Sequence, residues 1–264
     1  MTDHAAKWDD LAVRLATSAV LMLVGVSAIW AGGYWFILLA CVVSGVMVWE
    51  LVRMVSPSNP DKAVRIGIGT GLAVLLAVHA PVAIALLIIL GTTIWTGLRM
   101  PERRRVYAAY ALGIMVASWG LPLFRDSNGS TWLFWLVIVV AATDVFGYFG
   151  GRMIGGRKFW PAISPKKTWA GVLAGWVAAA LVGAAFLGVT QAQGELILFS
   201  ILVSFASQLG DIAESAVKRA MKVKDSSRLL PGHGGLWDRF DGLLGGSLIM
   251  LLLSYAYHAP AVAF

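Results

Sequence analysis

Charged residues along this chain are separated by long uncharged stretches, and those stretches predict helices that cross a lipid bilayer. A span needs about 20 mostly apolar residues. Leu15 to Trp49 carries no charge and is interrupted near its middle by Gly32-Gly33, which predicts two helices and a tight turn. Ile66 to Leu98 is interrupted by His79-Ala80-Pro81 and predicts two more, the first of them short; a single long helix there would lower the total by one. Val106–Phe124, Thr131 to about Gly151, Trp169–Thr190, Leu196 to about Val217 and Gly242–His258 supply the remaining spans. The expected fold is therefore all-α, a polytopic integral membrane protein of about nine transmembrane helices. About five spans fall in residues 1–130. Residues 131–264 form a second region whose loops 152–168 and 218–241 hold nearly all the unusual polar residues, so chemistry is expected there.

Composition agrees and removes the alternatives. Hydrophobic residues make up 59% of the chain and charged residues 13%, about half the charge of an ordinary soluble domain. A water-facing surface cannot be covered from that supply, and a disordered chain would be polar. The polar, acidic first ten residues and the immediate succession of two apolar blocks argue against a cleaved signal peptide. The one cysteine, Cys41, lies in an apolar block and permits neither an internal disulfide nor a cysteine-based zinc site. The net charge of +7 would point to nucleic acid in a soluble protein. Here a cytoplasmic N-terminus and nine spans put every basic residue but Arg125 in the N-terminal segment or a cytoplasmic loop, as the positive-inside rule requires. No nucleic-acid partner is expected; the bilayer is.

Carboxylates at membrane depth are costly and mark candidate sites. They are Glu50, Asp144, Asp211 and Glu214. Glu50 lies near Arg53 at the cytoplasmic end of its span, where it can snorkel or pair, and reads as structural. On the eighth span Ser204, Ser207, Gln208, Asp211, Ser215 and Lys218 keep one face polar over about four turns. Interhelical glue accounts for Ser204 and Ser207. It accounts poorly for a carboxylate and a hydroxyl one turn apart below Lys218-Arg219, which favours a wet, cation-binding cavity. On the sixth span Asp144 shares a face with Gly147, Tyr148 and Gly151; close packing explains the Gly147, Gly151, Gly155 series but not the acid.

Loop 152–168 contains Gly155-Gly156-Arg157-Lys158 and Ser164-Pro165-Lys166-Lys167-Thr168. It is not a Walker A sequence. Its lysines suit phosphate, and a helix N-terminus follows at Trp169 with Thr168 as N-cap candidate. Positive-inside charge alone explains these lysines equally well. Loop 218–241 contains Lys224-Asp225, Pro231-Gly232-His233-Gly234-Gly235 and Asp238-Arg239-Phe240-Asp241. Asp238 and Asp241 share a face if helical. Oxygen ligands without cysteine suit Mg²⁺, which joins protein carboxylates to substrate phosphates. His233 reads equally as a turn residue and as a phosphate contact.

Residues 215–241 also resemble the signature of the phosphatidate cytidylyltransferases. Ser215-Ala216-Val217-Lys218-Arg219, Lys224-Asp225, Leu230-Pro231 and His233 through Asp241 follow it without departure. Upstream, Thr143-Asp144, Tyr148, Gly150, Gly155, Ser164–Thr168 and Gly210-Asp211 resemble the family too. The resemblance covers about residues 143–241; the first 130 match only as apolar spans. It implies a multi-pass membrane nucleotidyltransferase, often dimeric, that condenses CTP with phosphatidic acid to CDP-diacylglycerol and pyrophosphate in phospholipid biosynthesis. It implies Mg²⁺, with a second cation such as K⁺. Asp211 and Asp238 would be the principal metal ligands, with Ser215 and Asp241 as ligands or supports. Asp144, Ser164, Lys166, Lys167 and Thr168 would serve the nucleotide or metal side, and Lys218, Arg219, Lys224, His233 and Arg239 would meet phosphates. The expected location is the inner membrane of a bacterium with the active site on the cytoplasmic side. An ion-coupled carrier would show inverted repeats and acids near the midplane; no repeat is evident and the acids lie toward one rim. A related lipid enzyme is the second rival, a CTP-dependent polyprenol kinase or an ether-lipid synthase; the unbroken 215–241 signature argues against the kinase, and a structural scaffold has no use for the carboxylates.

Overall fold

The computed structural model describes residues 2–100 and 103–257. Among the described residues, nine helices follow one another in the predicted order. They are α1 (Thr2–Ala31), α2 (Gly33–Val55), α3 (Pro60–Val78), α4 (Val82–Gly97), α5 (Arg104–Asn128), α6 (Thr131–Met153), α7 (Trp169–Leu187), α8 (Glu195–Ala220) and α9 (Trp237–Tyr257). Seven are long and apolar enough to cross a membrane by length and composition; α3 and α4, the pair predicted from 66–98, are not among them. Asp61, Lys62 and Arg65 shorten the apolar part of α3, and α4 has 16 residues. The protein is an all-α polytopic membrane protein. His258, the predicted last residue of the ninth span, lies outside the described residues.

Local chemistry sets the helix ends. Gly32 and Gly33 adopt positive φ values of 65° and 48°, a conformation glycine reaches without steric cost, and they turn α1 into α2. Asn59 caps α3 by accepting a hydrogen bond from Lys62 N, with Pro60 at the first helical position. Between α6 and α7 the predicted loop contains a small antiparallel hairpin, β1 (Lys158–Trp160) and β2 (Ser164–Thr168), in which Lys158 faces Thr168 and Trp160 faces Ser164. The loop before α9 is also shorter than predicted: α8 runs to Ala220 and α9 begins at Trp237, so Asp238 and Asp241 lie in the first turns of a helix.

The chain forms two compact units. One comprises Met1–Pro122 with Met221–Arg239, the other Leu123–Ala220 with Phe240–Phe264. In the first, α2 and α3 approach through small residues. A methyl group on Gly71 would lie 2.9 Å from the Cys41 carbonyl oxygen, and one on Gly45 would lie 2.9 Å from that of Gly67. Such contacts substitute for the hydrophobic drive that lipid removes. Ile37, Cys41, Val74, Ala77, Ile89 and Met115 form the adjoining core. In the second unit, Gly147 and Gly151 of α6 pack on Gly171 of α7, so the glycine series is a packing face over those two positions. Gly155 departs from it: at φ 69° it follows the helix end instead.

Candidate active site

The polar stripe on α8 divides into two halves within the second unit. Its N-terminal half is interhelical glue. Trp135 Nε1 donates to Ser200 Oγ at 3.0 Å, Thr143 Oγ1 to Ser204 Oγ at 2.8 Å, and Trp176 Nε1 to Gln208 Oε1 at 3.0 Å. Gln208 Nε2 in turn donates to the Val172 carbonyl at 3.2 Å. Every donor and acceptor buried in apolar surroundings needs such a partner.

The C-terminal half gathers charge. Asp211, Glu214 and Asp241 each offer a carboxylate oxygen, and these atoms lie within 4.8 Å of one another. Asp211 and Glu214 meet because they are three residues apart on α8. Asp241 comes from α9, which α8 approaches through glycines. A methyl group on Gly210 would strike the Asp241 and Gly245 backbones, one on Gly245 would strike the Ala206 carbonyl, and one on Gly242 would sit 2.8 Å from the buried Ser207 Oγ. Ser215 Oγ donates to Asp211 Oδ1 at 3.3 Å, and Asp241 Oδ1 accepts from Gly242 N at 2.7 Å. Asp144 of α6 lies within electrostatic reach of Asp241.

Two lysines answer these acids. Lys218 pairs with Glu214 one turn away on α8, and Lys167 Nζ lies 2.5 Å from Asp211 Oδ2. The hairpin decides the second pair: Lys167 is half-buried and faces Asp211, while Lys166 is exposed. The strand ends at Thr168, whose Oγ1 accepts from Gly171 N at 3.2 Å and caps α7, as the sequence predicts. Ser164 lies at the other end of β2, paired with Trp160, and Arg219 is exposed beyond Lys218. Three carboxylates and two ammonium groups thus meet within one cluster. The donors are hard oxygens, the set that Mg²⁺ prefers.

In the first unit, the loop preceding α9 is organised by two acids. Asp238 Oδ2 accepts three hydrogen bonds, from Ser226 N at 2.9 Å, Ser226 Oγ at 2.9 Å and Gly235 N at 2.8 Å. Glu50, fully buried on α2, accepts four, from Ser226 Oγ, Ser227 Oγ, Leu236 N and Trp237 N. It neither snorkels nor takes Arg53, whose guanidinium sits over the Trp49 ring 5.2 Å from its centroid. His233 Nε2 lies 3.0 Å from Ser18 Oγ of α1, and its Nδ1 is buried. Arg239 Nη2 donates to the His233 carbonyl at 3.3 Å, and Lys224 and Arg239 are exposed.

Glu214 is absent from the ligand set expected from sequence, although it falls three residues after Asp211 and four before Lys218, the spacing of a shared helix face. The four-donor role of Glu50 has a weaker signal: an acid inside an apolar span with no cation at helical spacing except Arg53.

Known proteins resemble this sequence over much or all of its length. The model of the Cytidylyltransferase family matches residues 12–257. The phosphatidate cytidylyltransferase of Brucella abortus biovar 1 (strain 9-941) is 34% identical over 266 residues, covering 96% of each chain. That of Mycobacterium tuberculosis (strain H37Rv) is 45% identical over 134 residues, which is 49% of this chain and 40% of the relative. That of Helicobacter pylori (strain J99) is 42% identical over 130 residues, 48% of each. With its polytopic helices and its cluster of acids and lysines, the chain belongs to the cytidylyltransferase family and is a membrane enzyme.

Proposed function

We propose that this protein transfers the cytidylyl group of CTP to phosphatidic acid, giving CDP-diacylglycerol and pyrophosphate, with Mg²⁺ as cofactor, as a step in phospholipid biosynthesis. The observation that carries the proposal is the cluster of Asp211, Glu214 and Asp241 with Lys167 and Lys218 in reach. Three oxygen donors this close, already drawing two ammonium groups, fit a hard divalent cation. Asp211, Glu214 and Asp241 would hold it, with Ser215 beside Asp211.

The chemistry asks little acid–base work of the protein. A phosphate oxygen of phosphatidic acid is already anionic; it forms a bond to the α-phosphorus of CTP while the bond to pyrophosphate breaks, and no proton has to move. The obstacle is repulsion between two anions. Lys166, Lys167, Lys218 and Arg219 would neutralise and align the phosphates. Lys224, on the loop before α9, and Arg239, in its first turn, are further exposed cations. Bound Mg²⁺ would supply charge neutralisation at the triphosphate and its leaving group. The distribution of basic residues favours a cytoplasmic site in a bacterial inner membrane, where a soluble nucleotide meets a lipid still anchored in the leaflet.

The test is incubation of the purified protein with labelled CTP, phosphatidic acid and Mg²⁺, followed by lipid extraction. Label entering the lipid phase with release of pyrophosphate is the expected result. A folded protein that leaves all label in the aqueous phase refutes the proposal.

A further inference from the structure

We infer that Glu50, on α2, is a positioning residue for the loop before α9: its buried carboxylate fastens Ser226, Ser227 and the start of α9, and through Ser226 sets the Asp238 carboxylate. Both of its oxygens are doubly engaged. Oε1 accepts from Ser227 Oγ at 2.6 Å and from Leu236 N at 2.8 Å; Oε2 accepts from Trp237 N at 2.7 Å and from Ser226 Oγ at 3.2 Å. Leu236 immediately precedes α9 and Trp237 is its first residue, where free N–H groups attract negative charge.

The link to Asp238 is one hydroxyl. Ser226 Oγ lies 3.2 Å from Glu50 Oε2 and 2.9 Å from Asp238 Oδ2, and it has a single proton to share between them. Gly235 lies between the two acids and gives its N–H to Asp238. Any side chain there would collide with both the Ser226 hydroxyl and the Glu50 carboxylate. Trp237, fully buried, closes the pocket with Tyr110 edge-on at 5.0 Å between ring centroids.

A purely structural role explains this arrangement poorly. Helix N-termini are usually capped by a residue of the same segment, whereas Glu50 is 186 residues from Leu236 in sequence. A buried carboxylate is expensive, and apolar packing stabilises a helix contact at less cost. What the carboxylate adds is direction. It holds a segment carrying Lys224, His233, Asp238 and Arg239 to α2, itself packed tightly on α3. The kinetic consequence rests on the cytidylyl-transfer reading; the structural one does not.

The test uses Glu50→Gln, Glu50→Asp and Ser227→Ala in the purified full chain. All four groups facing the Glu50 oxygens donate hydrogen bonds, so the amide of Gln must confront donors whichever way it is turned. Hydrogen exchange is followed at Ser226, Gly235, Leu236 and Trp237, and kcat and KM for CTP are measured beside the melting temperature. For Glu50→Gln the expected result is faster exchange at those amides and a fall in kcat of roughly tenfold to a hundredfold. KM for CTP should change by less than about threefold. Glu50→Asp recovers part of the loss. Ser227→Ala, which removes one donor and no charge, shifts both readouts the same way to a smaller extent and decides the matter if Glu50→Gln does not fold. Wild-type exchange in the loop overturns the inference, as does a lowered melting temperature with wild-type kcat. If the wild-type protein transfers no cytidylyl group, the functional reading fails separately, and the exchange data alone decide: lost protection upholds the role of Glu50 and unchanged protection removes it.

Discussion

Replacing Asp211 by Asn keeps the shape of the side chain and removes one charge from the acidic cluster. The oxygens of Asp211, Glu214 and Asp241 lie within 4.8 Å of one another. A cation held among them therefore sits no farther than roughly that distance from the Asp211 oxygen, and opposite unit charges so separated attract by about 3.5 kcal/mol at an effective dielectric constant of about 20. The Asp211 side chain is 33% exposed, so water screens part of this and about 2 kcal/mol is a working figure. At about 1.4 kcal/mol per decade, that is roughly a 30-fold loss in cation affinity. A divalent cation in direct contact would feel more, so the figure is a floor. The fold should survive, because Lys167 keeps its contact with the Gln208 carbonyl and the Glu214–Lys218 pair is untouched. The assay is the initial rate of labelled CDP-lipid formation across a Mg²⁺ series. The Mg²⁺ concentration at half-maximal rate should rise by about 30-fold or more, or activity should vanish. A purified Asp211→Asn protein with the wild-type Mg²⁺ curve and rate would refute the cation-binding role of this cluster.

Excess EDTA should abolish CDP-diacylglycerol formation and added Mg²⁺ should restore it; undiminished turnover in EDTA would end the metal argument. Lys167→Ala should raise KM for CTP and lower kcat by about tenfold or more, whereas Lys166→Ala, exposed on the other face of β2, should act mainly on KM; equal effects of the two on kcat would contradict the inward placement of Lys167. Gly245→Ala drives a methyl group into the Ala206 carbonyl, so α8 and α9 must part at a cost of about 1–3 kcal/mol. A melting temperature equal to that of the wild type would show that the helices are not held this closely.

Much of the architecture is legible in the residues alone. The uncharged stretches place nine helices in order because crossing a bilayer demands a length and a polarity that a sequence displays directly. The Gly32-Gly33 turn, the Thr168 cap and the shared face of Asp211, Ser215 and Lys218 follow from rules that act over four residues or fewer. The hairpin 158–168 did not show itself, since its second strand contains Pro165 and two lysines and has no apolar alternation. Glu214 was visible as an intramembrane acid at the right spacing, but only the approach of α9 brings Asp241 to it.

Helical period tells which residues share a face; it does not tell what that face meets. Residue spacing alone is enough to say that acids and lysines collect near one end of α8 and that a run of glycines and charges precedes α9. That Lys167 reaches Asp211, and that Glu50 serves α9 rather than Arg53, follows from the packing of the helices. Those partnerships join segments tens to hundreds of positions apart, and they depend on how closely two helices approach, a distance set by the glycines at their contact and not by the residues that finally meet.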